Sequence, residues 1–350
     1  MEAGSTGAGP ATAASARRPR HDVGGWAARV GALTLLVILL LSVVTLPWTF
    51  GRETGSTGPG QRRFEATNLR MNLLPPRWWP LSEAQQARLE TARAAGAPEP
   101  ARWLGTDRLG RDVLARCLAG GGISIVIGLA AAILAVVLGV GWGMVAAFAG
   151  GRADAVMMRT VDILYGLPSI LLVVLLAVAV DGAMTRLASD PPPAVRVTMN
   201  LITLLVAIGA VSWLTMARVI RGQVLSIREQ PYMEACRAVG VPVRRQLIRH
   251  VLPNLVGPIV VYATLAVPAA ILSESFLSFL GIGIREPLPS WGNLASDGLA
   301  ELNPVSSHWW LLVWPCLLIA LTLLALNFVG EGLREKFDPK SAASARRAVS

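Results

Sequence analysis

Long apolar stretches separated by short polar ones set the rhythm of this chain. Arg29 and Arg52 bracket 22 uncharged residues, Arg116 and Arg152 bracket 35, and Asp162 and Asp181 bracket 18. Arg196 and Arg218 bracket 21, His250 and Glu274 bracket 23, and His308 and Glu331 bracket 22. A helix crosses the hydrocarbon core of a bilayer with about 20 residues, so the pattern predicts an all-α membrane protein with six transmembrane helices. The second window is too long for one straight span. Its start at Gly120-Gly121-Gly122 reads as interfacial, which leaves a helix over Ser124 to Phe148. The first window exceeds the roughly 7–15 apolar residues of a signal peptide and no small-x-small cleavage site follows Trp48. Residues 26–50 therefore read as an uncleaved first span, and residues 1–25, rich in Ala, Gly and Ser, as a disordered tail.

Composition sharpens this. Hydrophobic residues make up 53% of the 350 and charged ones 15%, well below the roughly 25% of a soluble domain. The net charge of +10 comes almost wholly from arginine. A basic chain can signal nucleic acid, but these arginines flank apolar runs and form no stripe, which suits lipid headgroups and topology instead. The link between the fourth and fifth spans holds Arg221, Arg228, Arg237, Arg244, Arg245 and Arg249, and the positive-inside rule makes it cytoplasmic. Both termini are then cytoplasmic, including a tail over 333–350. Segment 51–116 falls outside despite its arginines, because long loops cross largely regardless of charge. Within it, Pro75-Pro76-Arg77-Trp78-Trp79-Pro80 reads as an interfacial anchor, and 82–95 as a short polar helix capped by Ser82. Cys117, Cys236 and Cys316 are distant from one another and lack metal-type spacing.

No ionisable residue lies at mid-span, so no proton relay or ion site can be read from the sequence. Thr34, Ser212, Thr264 and Asn327 are suited to hydrogen bonds within or between helices. Ala135, Gly139, Gly143 and Ala147, at steps of four, form a small-residue face for close helix packing, inside the subunit or across a dimer. Pro253, Pro258 and Pro268 kink the fifth span. A transporter without a proton relay or an ion site would take its energy from elsewhere, and a soluble partner acting on a cytoplasmic loop is the simplest source.

The loop after the fourth span fits that need. Pro231 suits a first helical turn and Glu234 the positive end of the helix dipole. Tyr232, Ala235, Cys236 and Val239 make one apolar face. Gly240 ends the helix, and Pro242 starts a second one with Val243, Leu247 and Val251 on one face. Two short amphipathic helices without a core of their own must pack on lipid or in a protein groove.

Glu234-Ala235-Cys236-Arg237-Ala238-Val239-Gly240, followed by Leu252-Pro253, resembles the EAA loop of ABC importer permeases. Gly105-Thr106-Asp107-Arg108-Leu109-Gly110-Arg111-Asp112 is similar to an element before the second span in the peptide and nickel branch. So are Phe276–Gly283 with Pro289-Ser290-Trp291-Gly292-Asn293 before the last span, and Gly150–Asp154 with Met158–Asp162 between the second and third. The closest likeness is to the C-type partner of the peptide permease pair. The resemblance implies the type I importer permease fold, with a permease core over 117–332 that carries the five further spans. It implies a multi-pass subunit of the prokaryotic inner membrane, paired with a second permease. It implies two cytoplasmic ATPase subunits docked through Glu234, Ala235, Cys236, Ala238, Val239, Gly240, Leu252 and Pro253, and an extracytoplasmic substrate-binding protein. ATP and magnesium would then be bound by those ATPases and not by this chain, which has no Gly-x-x-x-x-Gly-Lys-Ser/Thr. The cargo implied is di- or oligopeptide, with nickel chelates or another small solute as the alternative. An ATP-independent channel or carrier is a more remote reading, and an intramembrane enzyme finds neither His-Glu-x-x-His nor Gly-x-Ser-x-Gly. Nothing in the sequence assigns a substrate contact or a role to residues 51–100.

Overall fold

The computed structural model describes residues 23–52, 61–94, 101–187, 192–302 and 307–337. The tails expected over 1–25 and 333–350 fall largely outside these residues. Twelve helices are present among the described residues: α1 Val23–Val44, α2 Leu46–Thr49, α3 Glu83–Ala94, α4 Val113–Ala149, α5 Gly151–Tyr165, α6 Ser169–Leu187, α7 Pro193–Arg228, α8 Pro231–Ala238, α9 Val243–Gln246, α10 Leu252–Phe279, α11 Trp291–Ala300 and α12 Trp310–Phe337. Six helical segments are long and apolar enough to cross a membrane: α1, α4, α6, α7, the continuous run from α9 through α10, and α12. Alternation of the spans places residues 45–52, 61–94 and 101–112, together with α11, at one end of the bundle, the lobe end. Helices α5 and α8 lie at the other, the hairpin end.

Helix α4 differs from expectation. It begins at Val113, where the Asp112 carboxylate accepts the Leu114 N–H at 2.9 Å, and runs unbroken through Gly120–Gly122. At 37 residues it is about 55 Å long, so it extends well beyond the bilayer core. The glycines serve contact and not interruption. A Cβ on Gly121 would lie 2.6 Å from the Trp291 ring, and one on Gly120 3.2 Å from the Ser290 backbone. They let α11 sit directly on α4.

The predicted small-residue face packs inside the subunit, against α7. Ala135 and Ala147 are buried, and a Cβ on Gly139 or Gly143 would fall 2.5 Å from Met216 Cβ or 2.6 Å from the Ala217 carbonyl oxygen. Helices α4, α6, α7 and α10 share one apolar core towards the lobe end, and α4, α7, α8 and α10 share another towards the hairpin end. Helix α1 leans on α12 through Gly31, whose Cβ position is 2.6 Å from the Ala325 carbonyl. Its remaining surface exposes Leu33, Leu36, Leu40, Leu41 and Val43, as a lipid-facing span does. The hydroxyls of Thr34, Ser212 and Thr264 donate to carbonyls of their own helices, which removes their need for outside partners.

Residues 61–94 and 101–112 build a small lobe with a core of Met71, Leu74, Leu89 and Ala92. The Thr106 hydroxyl donates to the Met71 carbonyl at 2.7 Å and accepts the Leu74 N–H at 2.8 Å. Helix α3 opens with a capping box between Ser82 and Gln85. Trp78 and Trp79 stack with Trp309 at the start of α12, ring centroids 6.0 and 5.2 Å apart, and both stay exposed. Such a belt suits the headgroup level.

Candidate functional site

The hairpin Pro231–Pro253 is built as its residues suggest at its turn, and differently along its faces. Pro231 follows the N-cap Gln230, and Glu234 is exposed in the first turn of α8. The helix closes in a Schellman motif. The Gly240 N–H donates to the Arg237 carbonyl and the Val241 N–H to the Cys236 carbonyl, both at 3.0 Å. Gly240 has φ +76° and nothing within 4 Å of its Cβ position, so the turn projects freely.

The expected apolar face of Tyr232, Ala235, Cys236 and Val239 does not pack on this chain. Val239 is 82% exposed and Tyr232 42%. Ala235 and Ala238 are also exposed, and Cys236 is half-buried. The anchor is Met233, 1% exposed, which enters the core shared by α4, α7 and α10. Sequence periodicity missed it because a single inward methionine leaves no repeat.

The second helix is not a separate unit. From Val243 it passes through a π-turn over Leu247–Val251 straight into α10. Of the face Val243, Leu247 and Val251, only Val251 is fully buried. The extra residue of the π-turn leads directly into Leu252-Pro253, where proline supplies no N–H to an α-type bond. The hairpin thereby runs into the fifth span without a break in the helix.

The neighbouring helix α5 is tied to α7 by charge. Arg221 forks onto Asp154 with two bonds of 2.6 Å, and Arg218 meets Asp162 at 2.9 Å. The Arg221 hydrogen bond holds the Asp154 carboxyl below the usual carboxylate range, against the opposing effect of burial. Arg218 also lies over the Tyr165 ring, 3.9 Å from its centroid. Between α5, α6, α7 and α10 opens a cavity of about 530 Å³, lined among others by Tyr165, Ser169, Ser212, Thr215, Ser273 and Phe276. No charged side chain is among its lining residues.

At the lobe end, the Gly105–Asp112 element forms a buried ion cluster. Asp107 lies 2.6 Å from both Arg111 and Arg116, and Arg111 continues to Glu286 at 2.9 Å. Arg116 also approaches Asp297 at 3.5 Å. Burial would raise the Asp107 pKa, but the Arg116 and Arg111 charges outweigh it and the carboxyl titrates below its usual range. The cluster joins the start of α4 to the segment between α10 and α11.

The family model for the binding-protein-dependent transport system inner membrane component matches residues 139–342. The chain belongs to that family. This permease is 43% identical over 243 residues to the oligopeptide transport system permease protein OppC of Bacillus subtilis, covering 69% of this chain and 73% of the relative. It is 43% identical to the dipeptide transport system permease protein DppC of the same organism, over 69% of this chain and 70% of the relative. The OppC protein of Escherichia coli is 42% identical over 71% of this chain and 76% of its own length. An inward-facing structure of the MetNI methionine ABC transporter overlaps it at TM-score 0.49 and 15% identity, over 64% of this chain and 97% of the other. The permease is thus a multi-pass membrane subunit of a binding-protein-dependent transporter.

Proposed function

We propose that this permease forms half of the translocation pathway of an ATP-driven importer for di- or oligopeptides, paired with a second permease of similar fold. Two cytoplasmic ATPase subunits dock on the Pro231–Pro253 hairpin, an extracytoplasmic binding protein meets the lobe end, and both termini lie in the cytoplasm. The ATPases carry the nucleotide and its magnesium, and this chain transmits their closure. The exposed apolar face of α8 carries the reading. Burying Val239 in a partner groove is worth about 1.5–3 kcal/mol, and its own chain leaves it 82% exposed. The continuity from Gly240 into α10 supports a mechanical role, since a rigid element can bias two arrangements of the bundle. The cavity of hydroxyls and apolar side chains beside α10 is this subunit's share of the pathway. Its uncharged wall suits the neutral backbone amides that all peptides share, and the cited relatives are named for peptide transport.

The test is purification of the tagged chain in mild detergent, with partner identification and an ATPase assay. Co-purification of an ATPase and a second permease, with ATP hydrolysis, is the expected result. An inert chain that also fails to crosslink through Cys236 to any ATPase in native membranes would overturn the docking assignment.

A further inference from the structure

Glu274 is a carboxyl that the account so far leaves unused. Its window boundary in the sequence concealed it, because α10 continues to Phe279 and encloses it. It is 0% exposed, and among the described residues it has no ion pair. Four serine hydroxyls surround it. Ser278 Oγ donates to Oε1 at 2.8 Å and Ser275 Oγ to Oε2 at 3.3 Å, and the hydroxyls of Ser124 on α4 and Ser290 at the N-cap of α11 act on the same carboxyl.

Three of these hydroxyls are relays. Ser278 accepts the Ile284 N–H at 3.0 Å, Ser124 the Trp291 N–H at 3.4 Å, and Ser290 the Asn293 N–H at 3.2 Å. A serine hydroxyl has one hydrogen, so each hydroxyl that accepts a backbone N–H can spend that hydrogen on the carboxyl. The segment 280–293 is thus suspended from one side chain through three serines on three different elements. Around it, Trp291 is buried on Gly121 and donates from Nε1 to the Cys117 carbonyl at 3.0 Å. Arg111 holds Glu286 from the opposite side. On the other faces of the same turns of α10, Leu272, Ser273, Phe276 and Leu277 line the cavity.

We propose that Glu274 is a positioning residue that holds segment 280–293 against α4 and thereby keeps the lobe end of the pathway closed. The proposal rests on the importer reading for its transport consequence, though not for its geometry. The carboxyl accepts hydroxyl hydrogens at both of its oxygens. A glutamine has the same shape but presents an NH2 donor in place of one acceptor oxygen, so in Glu274→Gln a serine facing that NH2 loses the acceptor for its hydrogen while the packing stays. Ser278→Ala removes one relay and leaves Glu274 in place, and Ser278→Thr restores the hydroxyl.

The experiment uses the full chain in membranes, with Leu280→Cys as a reporter in the segment and the same chain without it as background. Labelling by an impermeant maleimide is expected to rise about tenfold in Glu274→Gln and in Ser278→Ala, the shift that one lost buried hydrogen bond produces, and to return to the parent rate in Ser278→Thr. In the reconstituted complex, the same two variants are expected to lose the stimulation of ATPase activity by the transporter's binding protein loaded with tri-alanine, while the ATPases stay bound. Rates within about twofold of the parent in both variants, below the effect of one hydrogen bond, overturn the proposal. So does faster labelling with unchanged stimulation. If Glu274→Gln fails to reach the membrane, the Ser278 pair decides alone. A parent complex that shows no stimulation counts against the importer reading, and the labelling still decides the hub.

Discussion

The two ends of this bundle are finished in opposite ways. At the lobe end the principal buried charges and the central tryptophan are met from within the chain. Asp107 holds two arginines, Glu274 sits among four serines, and Trp291 is buried with its N–H bonded. At the hairpin end α8 is held by one buried methionine and a glycine turn, while Val239 and Tyr232 face outward. The lobe end is built to hold itself in a defined shape. The hairpin end leaves an apolar side chain, Val239, facing outward, where the proposed ATPase partner would cover it.

The largest expected effect breaks the hairpin end. Gly240→Asp should reduce uptake to background while the subunit remains in the membrane at normal level, by uptake assay and immunoblot. The position has a positive φ and empty surroundings, so the fold loses only about 1–2 kcal/mol locally, whereas a charge at the docking tip has nowhere to go. Next comes the self-contained end. Asp107→Asn leaves Arg111 and Arg116 short of their shared anion and should cost about 3–5 kcal/mol, read as a fall in the unfolding temperature of the detergent-solubilised chain. Gly143→Val should cost about 1–3 kcal/mol by overpacking the α4–α7 contact, again by thermal unfolding, with Gly141→Val as the matched control because its Cβ position is open.

A pH series sharpens the comparison further. The folded Asp107 pKa lies below its ordinary 3.8, so its stabilising effect is fully present above that value and is lost only as pH falls through the depressed folded one. The gap in unfolding temperature between wild type and Asp107→Asn should therefore be constant from about pH 7 to 5 and close only in stronger acid. The smallest effect belongs to Arg285→Ala. Its pair with Asp181 is exposed, 56% and 36% on the two side chains, and removal should change stability by less than about 1 kcal/mol.

Much of the frame was legible along the chain. Six apolar windows became six spans, Ser82 opened α3, and Gly240 closed α8, because each depends on local composition or backbone geometry. The small-residue stripe from Ala135 to Ala147 announced a close helix contact but not its partner. Glu274 was read as a window edge, since a charge count cannot see two serines arriving from other elements. Gly120–Gly122 looked like a helix boundary and proved to be a seat for Ser290 and Trp291.

The sequence by itself determined the number and order of the spans, the glycine turn and the family, because hydrophobic periodicity, φ-restricted residues and contiguous motifs are properties of neighbours in the chain. Only the tertiary structure decided that α4 runs whole through its glycines, that the hairpin continues as one helix into α10, and that Glu274 is enclosed beside serines of α10, α4 and α11. Those outcomes depend on side chains more than a hundred residues apart, such as Ser124 and Trp291. Burial then makes their hydrogen bonds obligatory, since a polar group inside the bundle has no water to turn to.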